Sequence, residues 1–198
     1  MDLNSAGRVM ALSSVDSDAP GKKAQGLGRH ATRPSTNPAI HHRSRRRDMR
    51  ITFSHTNIVA QDWKRLATFY TNVFGCTPQP PERDLSGDWL DRLTAIDSVH
   101  IQGIHLLLPG FGDTGPTLEI FQYDQQDTHA GKAINTFGFG HIAFAVDDVD
   151  ACLQKVLNHG GSTVGETVHG DVGGLGAIHL VYAKDPEGNI IEIQKWQD

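Results

Sequence analysis

The sequence predicts an α+β domain built from two tandem βαβββ modules. Residues 140–148, GHIAFAVDD, alternate in character as a strand does, with Ile142, Phe144 and Val146 on one face. A diverged copy of this segment, followed by a helix as in the original, begins at His55. Each copy closes on a similar strand, TLEIFQY at 117–123 and NIIEIQKW at 189–196. Such a repeat is typical of one structural unit used twice.

Composition separates a tail from a folded part. Residues 1–48 are rich in Ser, Gly, Pro, Asn and Arg and contain few large apolar side chains, so we expect a disordered basic tail there and one domain over 49–198, with Met49 as an alternative start. Residues 51–198 carry eight Lys and Arg against nineteen Asp and Glu. This acidic balance disfavours nucleic acid as a partner, because phosphate binding requires clustered Lys and Arg.

The cysteines indicate a reducing compartment, and the hydropathy indicates neither a transmembrane segment nor a signal peptide. Only Cys76 and Cys152 occur, without CxxC spacing, so neither a disulfide framework nor a cysteine zinc site is predicted. No apolar run reaches transmembrane length, and no apolar segment of a signal peptide follows the start. We therefore expect a cytoplasmic protein with no membrane partner.

Module one is predicted over residues 51–124. A strand at 51–59 leads to Gln61 and Asp62, which cap a helix ending at Gly75. Residues 99–108 and 117–123 read as strands. Residues 77–97 hold Pro78, Pro80 and Pro81 and then a short helix at 88–96, an insertion predicted to form a lid or one wall of a pocket.

Module two is predicted over residues 137–196. A strand at 139–146 is followed by a helix capped by Asp147 or Asp148 and ending at Gly160 and Gly161. Further strands are expected at 163–169, 177–183 and 189–196. The glycine-rich segment 169–176 lacks the strand-to-helix context of a phosphate-binding loop and is predicted to be a flexible loop at the pocket mouth.

Four polar residues interrupt apolar strands at matching places in the two modules. His55 and His141 lie on the opening strands, and Glu119 and Glu192 lie on the closing strands between apolar neighbours. Taken singly, each is more typical of a hydrogen-bonded strand histidine or of a solvent-facing carboxylate. A carboxylate within a sheet is costly unless it is paired or bound to a cation. The repeated pattern favours one divalent metal, Zn, Ni, Co, Mn or Fe, held by His55, Glu119, His141 and Glu192.

The remaining histidines of the folded part have no counterpart in the other module. We interpret them as surface or pocket residues: His100, His105, His129, His159, His169 and His179.

The motifs FYTNVFG, LEIFQ, GHIAFAVDDVD and AKDPEGNIIEI resemble those of the vicinal oxygen chelate superfamily, which includes glyoxalase I, methylmalonyl-CoA epimerase and the extradiol dioxygenases. The resemblance covers residues 51–196. It implies the glyoxalase/bleomycin resistance/dioxygenase fold, in which two modules form an open, curved mixed sheet around a metal. The family's ligand positions fall on the same four residues, His55, Glu119, His141 and Glu192.

The ligand set also sorts the family's reactions. In the extradiol dioxygenases the corresponding metal ligands are two histidines and one glutamate. With Glu119 as a fourth ligand, the set in this sequence is more similar to that of glyoxalase I. The resemblance implies a metal-dependent lyase or isomerase that stabilises the enediolate of a small carbonyl substrate. Val59 stands where many glyoxalases have an arginine that anchors glutathione. Its presence argues against glutathione as part of the substrate. An Fe(II)-dependent extradiol-type dioxygenase and a non-catalytic small-molecule binding or resistance protein remain alternatives.

Within such a site, a loosely held glutamate acts as the base. We assign this role to Glu192, with Glu119 as the symmetric candidate. The resemblance implies a homodimer and leaves open whether one chain or two supply the ligands. Strand alternation predicts a partly aromatic substrate pocket with few charges. Its residues are Phe53, Asn57, Val59, Thr117, Phe121, Tyr123, Ala143, Ala145, Gln194 and Trp196.

Overall fold

The structure, a computed structural model, describes residues 50–127, 131 and 133–197. The predicted tail over 1–48 and His129 lie outside these residues. Met49–Asp198 forms one compact unit. Within the described residues, no helix is long and apolar enough to cross a membrane.

Module one contains four strands, two α-helices and one 3-10 helix (Gly112–Thr114). Strand β1 (His55–Val59) is followed by α1 (Trp63–Phe74), β2 (Thr77–Leu85), α2 (Asp88–Thr94), β3 (Ile101–Leu107) and β4 (Thr117–Tyr123). Asp62 is the N-cap of α1, and its carboxylate accepts a hydrogen bond from the Arg65 N–H. Gly75 ends the helix in the left-handed conformation, which glycine adopts without steric cost. Both ends of α1 agree with the sequence prediction.

Module two repeats the order without the short helix and with one additional strand. Strand β5 (Ile142–Ala145) is followed by α3 (Val149–Asn158), β6 (Ser162–Thr163), β7 (Val168–Val172), β8 (Gly176–Lys184) and β9 (Ile190–Trp196). Asp148 is the N-cap of α3 and accepts a hydrogen bond from the Ala151 N–H. The predicted α+β class with two tandem modules is confirmed.

The strands form two sheets with matching topology. Module one has the order β1-β4-β3-β2, and module two has β5-β9-β8-β6 with β7 also paired to β8. In each sheet the opening strand runs parallel to the closing strand and lies at the edge. Strands β1 and β5 therefore each leave one side unpaired within the described part of the chain.

One hydrophobic core joins the two modules. It contains the apolar face of α1, the helix-facing residues of β3 and β4, and their counterparts from α3, β8 and β9. The ring of Phe74 at the end of α1 stacks on Phe144 of β5, with centroids 4.0 Å apart. Because the two sheets share this core, the opposite face of each sheet, which carries Glu119 or Glu192, points away from it.

Several predicted elements differ from the structure. The strand expected at 163–169 is split into β6 and β7. Pro78, Pro80 and Pro81, predicted to belong to an inserted lid or pocket wall, lie within β2. The strand accommodates them because it is at the sheet edge and its register shifts between Gln79 and Arg83. Strands β1 and β5 begin later than predicted, so His141 directly precedes β5. The predicted flexible loop at 169–176 is largely β7, which pairs with β8 and leaves only residues 173–175 as a turn.

Candidate metal centre

The first half of the candidate site lies on β1 and β4. These strands are parallel, with Asn57 opposite Glu119, so His55 is two residues before the glutamate's direct neighbour and projects from the same face. The His55 Nε2 lies 3.6 Å from the Glu119 Oε2. The Glu119 side chain is only 13% exposed. A carboxylate this shielded requires partners, and it has several.

The second half repeats this geometry on β5 and β9. Ala143 lies opposite Glu192, and His141 is again two residues earlier. The His141 Nε2 is 3.1 Å from the Glu192 Oε2, and the Glu192 side chain is also 13% exposed. The predicted pairing of a histidine with a glutamate thus occurs at equivalent positions in both sheets.

Each glutamate also faces a residue that the sequence interpretation did not assign to the site. His105 on β3 lies directly across the antiparallel ladder from Glu119, and Tyr182 on β8 lies across from Glu192. The His105 Nε2 is 2.8 Å from the Glu119 Oε1. Module two has no histidine that matches His105, so the repeat does not single this residue out. Its position on a strand that pairs with the glutamate strand was the available signal.

Burial shapes the titration of both residues. Burial lowers the pKa of the His105 imidazole, against the opposing attraction of Glu119, so the neutral ring is favoured. Burial raises the pKa of the Tyr182 phenol, and its hydrogen bond to Glu192 raises it further. The phenol of Tyr182 is therefore neutral.

The four predicted ligands form two pairs rather than one cluster. Among the described residues, no group of three or more His, Cys, Asp or Glu side chains is arranged to hold a metal ion. His55 and His141 nevertheless border the same cavity, which has a volume of about 590 Å³. A cavity of this size suits a small molecule.

The cavity lies between the edges of β1 and β5. Three of the predicted pocket residues, Phe53, Asn57 and Val59, line it. The rest of its wall consists of residues outside the predicted pocket: Thr56, Ile58, Tyr70, Leu118, Phe139, Gly140, Ile142, Asn189 and Ile190.

The other predicted pocket residues lie elsewhere on the two glutamate faces. Phe121 and Tyr123 pack with Leu90 of α2, so the inserted helix covers the face of β4 beyond Glu119. The Thr117 Oγ1 is 2.9 Å from the His105 Nδ1. Ala143 and Ala145 are exposed on β5, whereas Gln194 and Trp196 lie along β9. In the single chain these seven residues do not border the cavity described above.

Comparison with known proteins identifies the superfamily to which this chain belongs. Residues 52–193 match the model of the glyoxalase/bleomycin resistance protein/dioxygenase superfamily. The chain belongs to this superfamily, as its motifs predicted.

Individual relatives support a glyoxalase-like protein. Proteins named probable lactoylglutathione lyase from Vibrio parahaemolyticus and Vibrio cholerae are each 34% identical over 142 residues, which cover 70% of this chain and 86% of the relative.

Solved structures agree on the fold. A glyoxalase family protein from Bacillus cereus superposes with a TM-score of 0.61 at 19% identity, covering 78% of this chain and 99% of that protein. A glyoxalase I mutant from Zea mays gives a TM-score of 0.51 at 26% identity over 74% of this chain, which spans 45% of the maize protein.

Proposed function

We propose that this protein is a divalent-metal-dependent lyase or isomerase of the glyoxalase type, acting on a small carbonyl substrate. The observation that carries the proposal is the His-Glu pair at equivalent ladder positions of both modules. The relatives named as probable lactoylglutathione lyases support the same reaction class.

The donor set fits a divalent metal. Two imidazole nitrogens and two carboxylates are ligands suited to Zn, Ni, Co, Mn or Fe. Both carboxylates are largely shielded from water and already lie beside an imidazole, so a cation there would compensate charge that is costly to bury. His55, Glu119, His141 and Glu192 would hold it. The ion, when bound, would supply a Lewis acid that stabilises negative charge on a carbonyl substrate.

The protein's own groups would move the proton. We assign the base to Glu192, whose carboxylate would remove a proton from the carbon next to the carbonyl and return it at the neighbouring position. The opposite residue on β5 is Ala143, which donates no hydrogen bond to Glu192, whereas the equivalent residue at Glu119 is Asn57, which does. At this neighbouring position Glu192 therefore lacks a donor that Glu119 has.

The residues around the candidate ligands favour an uncharged substrate. The residues predicted to line the substrate pocket include no Lys or Arg, and neither does the wall of the cavity beside His55 and His141. The carboxylates of glutathione would find no cationic partner among these residues. A small carbonyl compound with an apolar or aromatic substituent fits these surroundings better.

We further propose that a second copy of the chain completes each site. Strands β1 and β5 are both edge strands, and the ligand faces of the two sheets point away from the shared core. Four large apolar side chains beside these edges are highly exposed, namely Ile51, Phe53, Phe137 and Phe139. Edge strands with exposed apolar residues pair readily with another chain. Pairing β1 of one protomer with β5 of its partner would unite a His55-Glu119 pair with a His141-Glu192 pair.

Complementation tests this arrangement. Mixing and refolding His55→Ala with His141→Ala chains should restore about a quarter of the wild-type activity, because half of the dimers are hybrids and each hybrid has one intact site. Sites built within one chain would give no recovery.

Activity measurements test the reaction class. The purified protein should convert 2-oxoaldehydes, assayed with glutathione, with another thiol and without thiol; a chelator should abolish turnover, and added divalent metal should restore it. Consumption of dioxygen with a catechol would replace this proposal with a dioxygenase. Tight binding of the carbonyl compounds without turnover would indicate a sequestering protein instead.

A further inference from the structure

The two candidate glutamates occupy equivalent positions but have different neighbours. On the parallel neighbouring strand, Glu119 faces Asn57, whereas Glu192 faces Ala143. On the antiparallel neighbouring strand, Glu119 faces His105, whereas Glu192 faces Tyr182. The repeat thus conserves the His-Glu pairs of its two copies and changes the side chains that hold each glutamate.

Both oxygens of Glu119 contact nitrogen atoms of these neighbours. The Asn57 Nδ2 donates to Oε2 at 2.9 Å, and the His105 Nε2 lies 2.8 Å from Oε1. Because a carboxylate oxygen accepts, Nε2 is the donor in this contact. The other ring nitrogen, Nδ1, lies 2.9 Å from the Thr117 hydroxyl oxygen. These three contacts therefore fix the plane of the Glu119 carboxylate.

We propose that His105 and Asn57 are positioning residues that hold Glu119 as a fixed metal ligand. This inference rests on the proposed metal-dependent function. The two donors leave Glu119 one orientation, in which Oε2 lies toward His55, 3.6 Å from its Nε2. The His105 side chain is 18% exposed, so water competes weakly for the carboxylate. Residues that orient a metal ligand commonly change metal affinity by about 10–100-fold when they are removed.

The experiment measures Co²⁺ binding to the full chain by calorimetry and by visible absorption, which reports the ligand geometry. His105→Ala and Asn57→Ala should each weaken Co²⁺ binding by about 10–100-fold. His105→Gln, whose amide N–H can still donate to Glu119, should stay within about threefold of wild type and keep its absorption spectrum, because the hydrogen bond is retained. His100→Ala is the matched control, since His100 instead pairs with Asp84 at the surface.

Three results would overturn the inference. Wild-type affinity in both His105→Ala and Asn57→Ala would show that neither residue positions Glu119. Loss of binding in His105→Gln as large as in His55→Ala would make His105 a ligand itself. A wild-type protein that binds no Co²⁺ would remove the proposed metal function and this inference with it, whereas the first two results leave that function intact. Asn57→Ala, which acts on the other oxygen, keeps the test decisive if His105→Ala does not fold.

Discussion

The Tyr70 hydroxyl on α1 donates a hydrogen bond of 3.0 Å to the Asp185 Oδ2 in the turn between β8 and β9. Both residues are almost fully buried, and burial raises the pKa of each. The next residues of the same turn extend the connection, because the Glu187 carboxylate accepts the N–H groups of Gln61 and Asp62 at the start of α1. A turn of module two thus anchors the helix of module one.

Tyr70→Phe should therefore destabilise the domain. The substitution removes one donor to the buried Asp185 and leaves the ring packing, so the free energy of unfolding should fall by about 1–3 kcal/mol. Urea denaturation measures it. Tyr123→Phe is the control, because it removes a hydroxyl from a partly exposed ring and should change the free energy of unfolding little. Equal effects of the two variants would contradict a structural role for the contact between Tyr70 and Asp185.

Gly103 on β3 should not tolerate a side chain. A Cβ there would lie 2.1 Å from the Ile120 carbonyl oxygen and 2.5 Å from the Phe121 ring. Gly103→Ala should lower the free energy of unfolding by about 1–3 kcal/mol, because the backbone of β4 must shift. At Gly173 a Cβ meets nothing within 4 Å. Gly173→Ala should therefore leave the stability in thermal denaturation nearly unchanged. A loss of stability as large as that of Gly103→Ala would contradict the steric explanation.

The two cysteines should be unreactive in the folded protein. Burial raises the pKa of the Cys76 thiol to about 11 and also raises that of Cys152. Because the folded pKa of Cys76 exceeds its unfolded value of 9.0, burying the neutral thiol stabilises the fold fully below pH 9, and this contribution is lost as the pH rises through about 11. Labelling with a thiol reagent at pH 8 should be slow until denaturant is added, whereas an introduced Ser86→Cys should react at once. Rapid native labelling of Cys76 would refute its burial.

Glu192 should be more important for turnover than for metal retention. Glu192→Gln removes the proposed base and keeps a ligand oxygen, so kcat should fall by about 10²–10⁴-fold. The metal content of the same preparation is the internal control. If Glu119→Gln lowers kcat and Glu192→Gln does not, the roles of the two glutamates are reversed.

Repetition made most of this architecture predictable. The bounds of α1 and of β4, and the placement of His55, Glu119, His141 and Glu192, followed from local signals such as Asp62, Gly75 and strand alternation. These signals act within a few residues, so they can be read directly from the sequence.

The features that depend on contacts between distant segments, such as strand register and helix packing, were not predictable. The strand β2, which contains Pro78, Pro80 and Pro81, was not predicted, because nothing in the sequence indicated that this segment would be a sheet edge where proline is tolerated. His105 and Tyr182 face the glutamates only because of the strand registers, which the repeat did not reveal. Phe121 is covered by Leu90 because α2 folds onto that face.

Metal analysis of the purified protein tests the central claim most directly. After incubation with divalent metal and removal of the excess, the wild type and His100→Ala should each retain about one ion per chain, and His141→Ala should retain little, since a metal site that loses a ligand binds more weakly. A wild-type protein that retains no metal, or a His141→Ala variant that retains as much as wild type, would contradict the account.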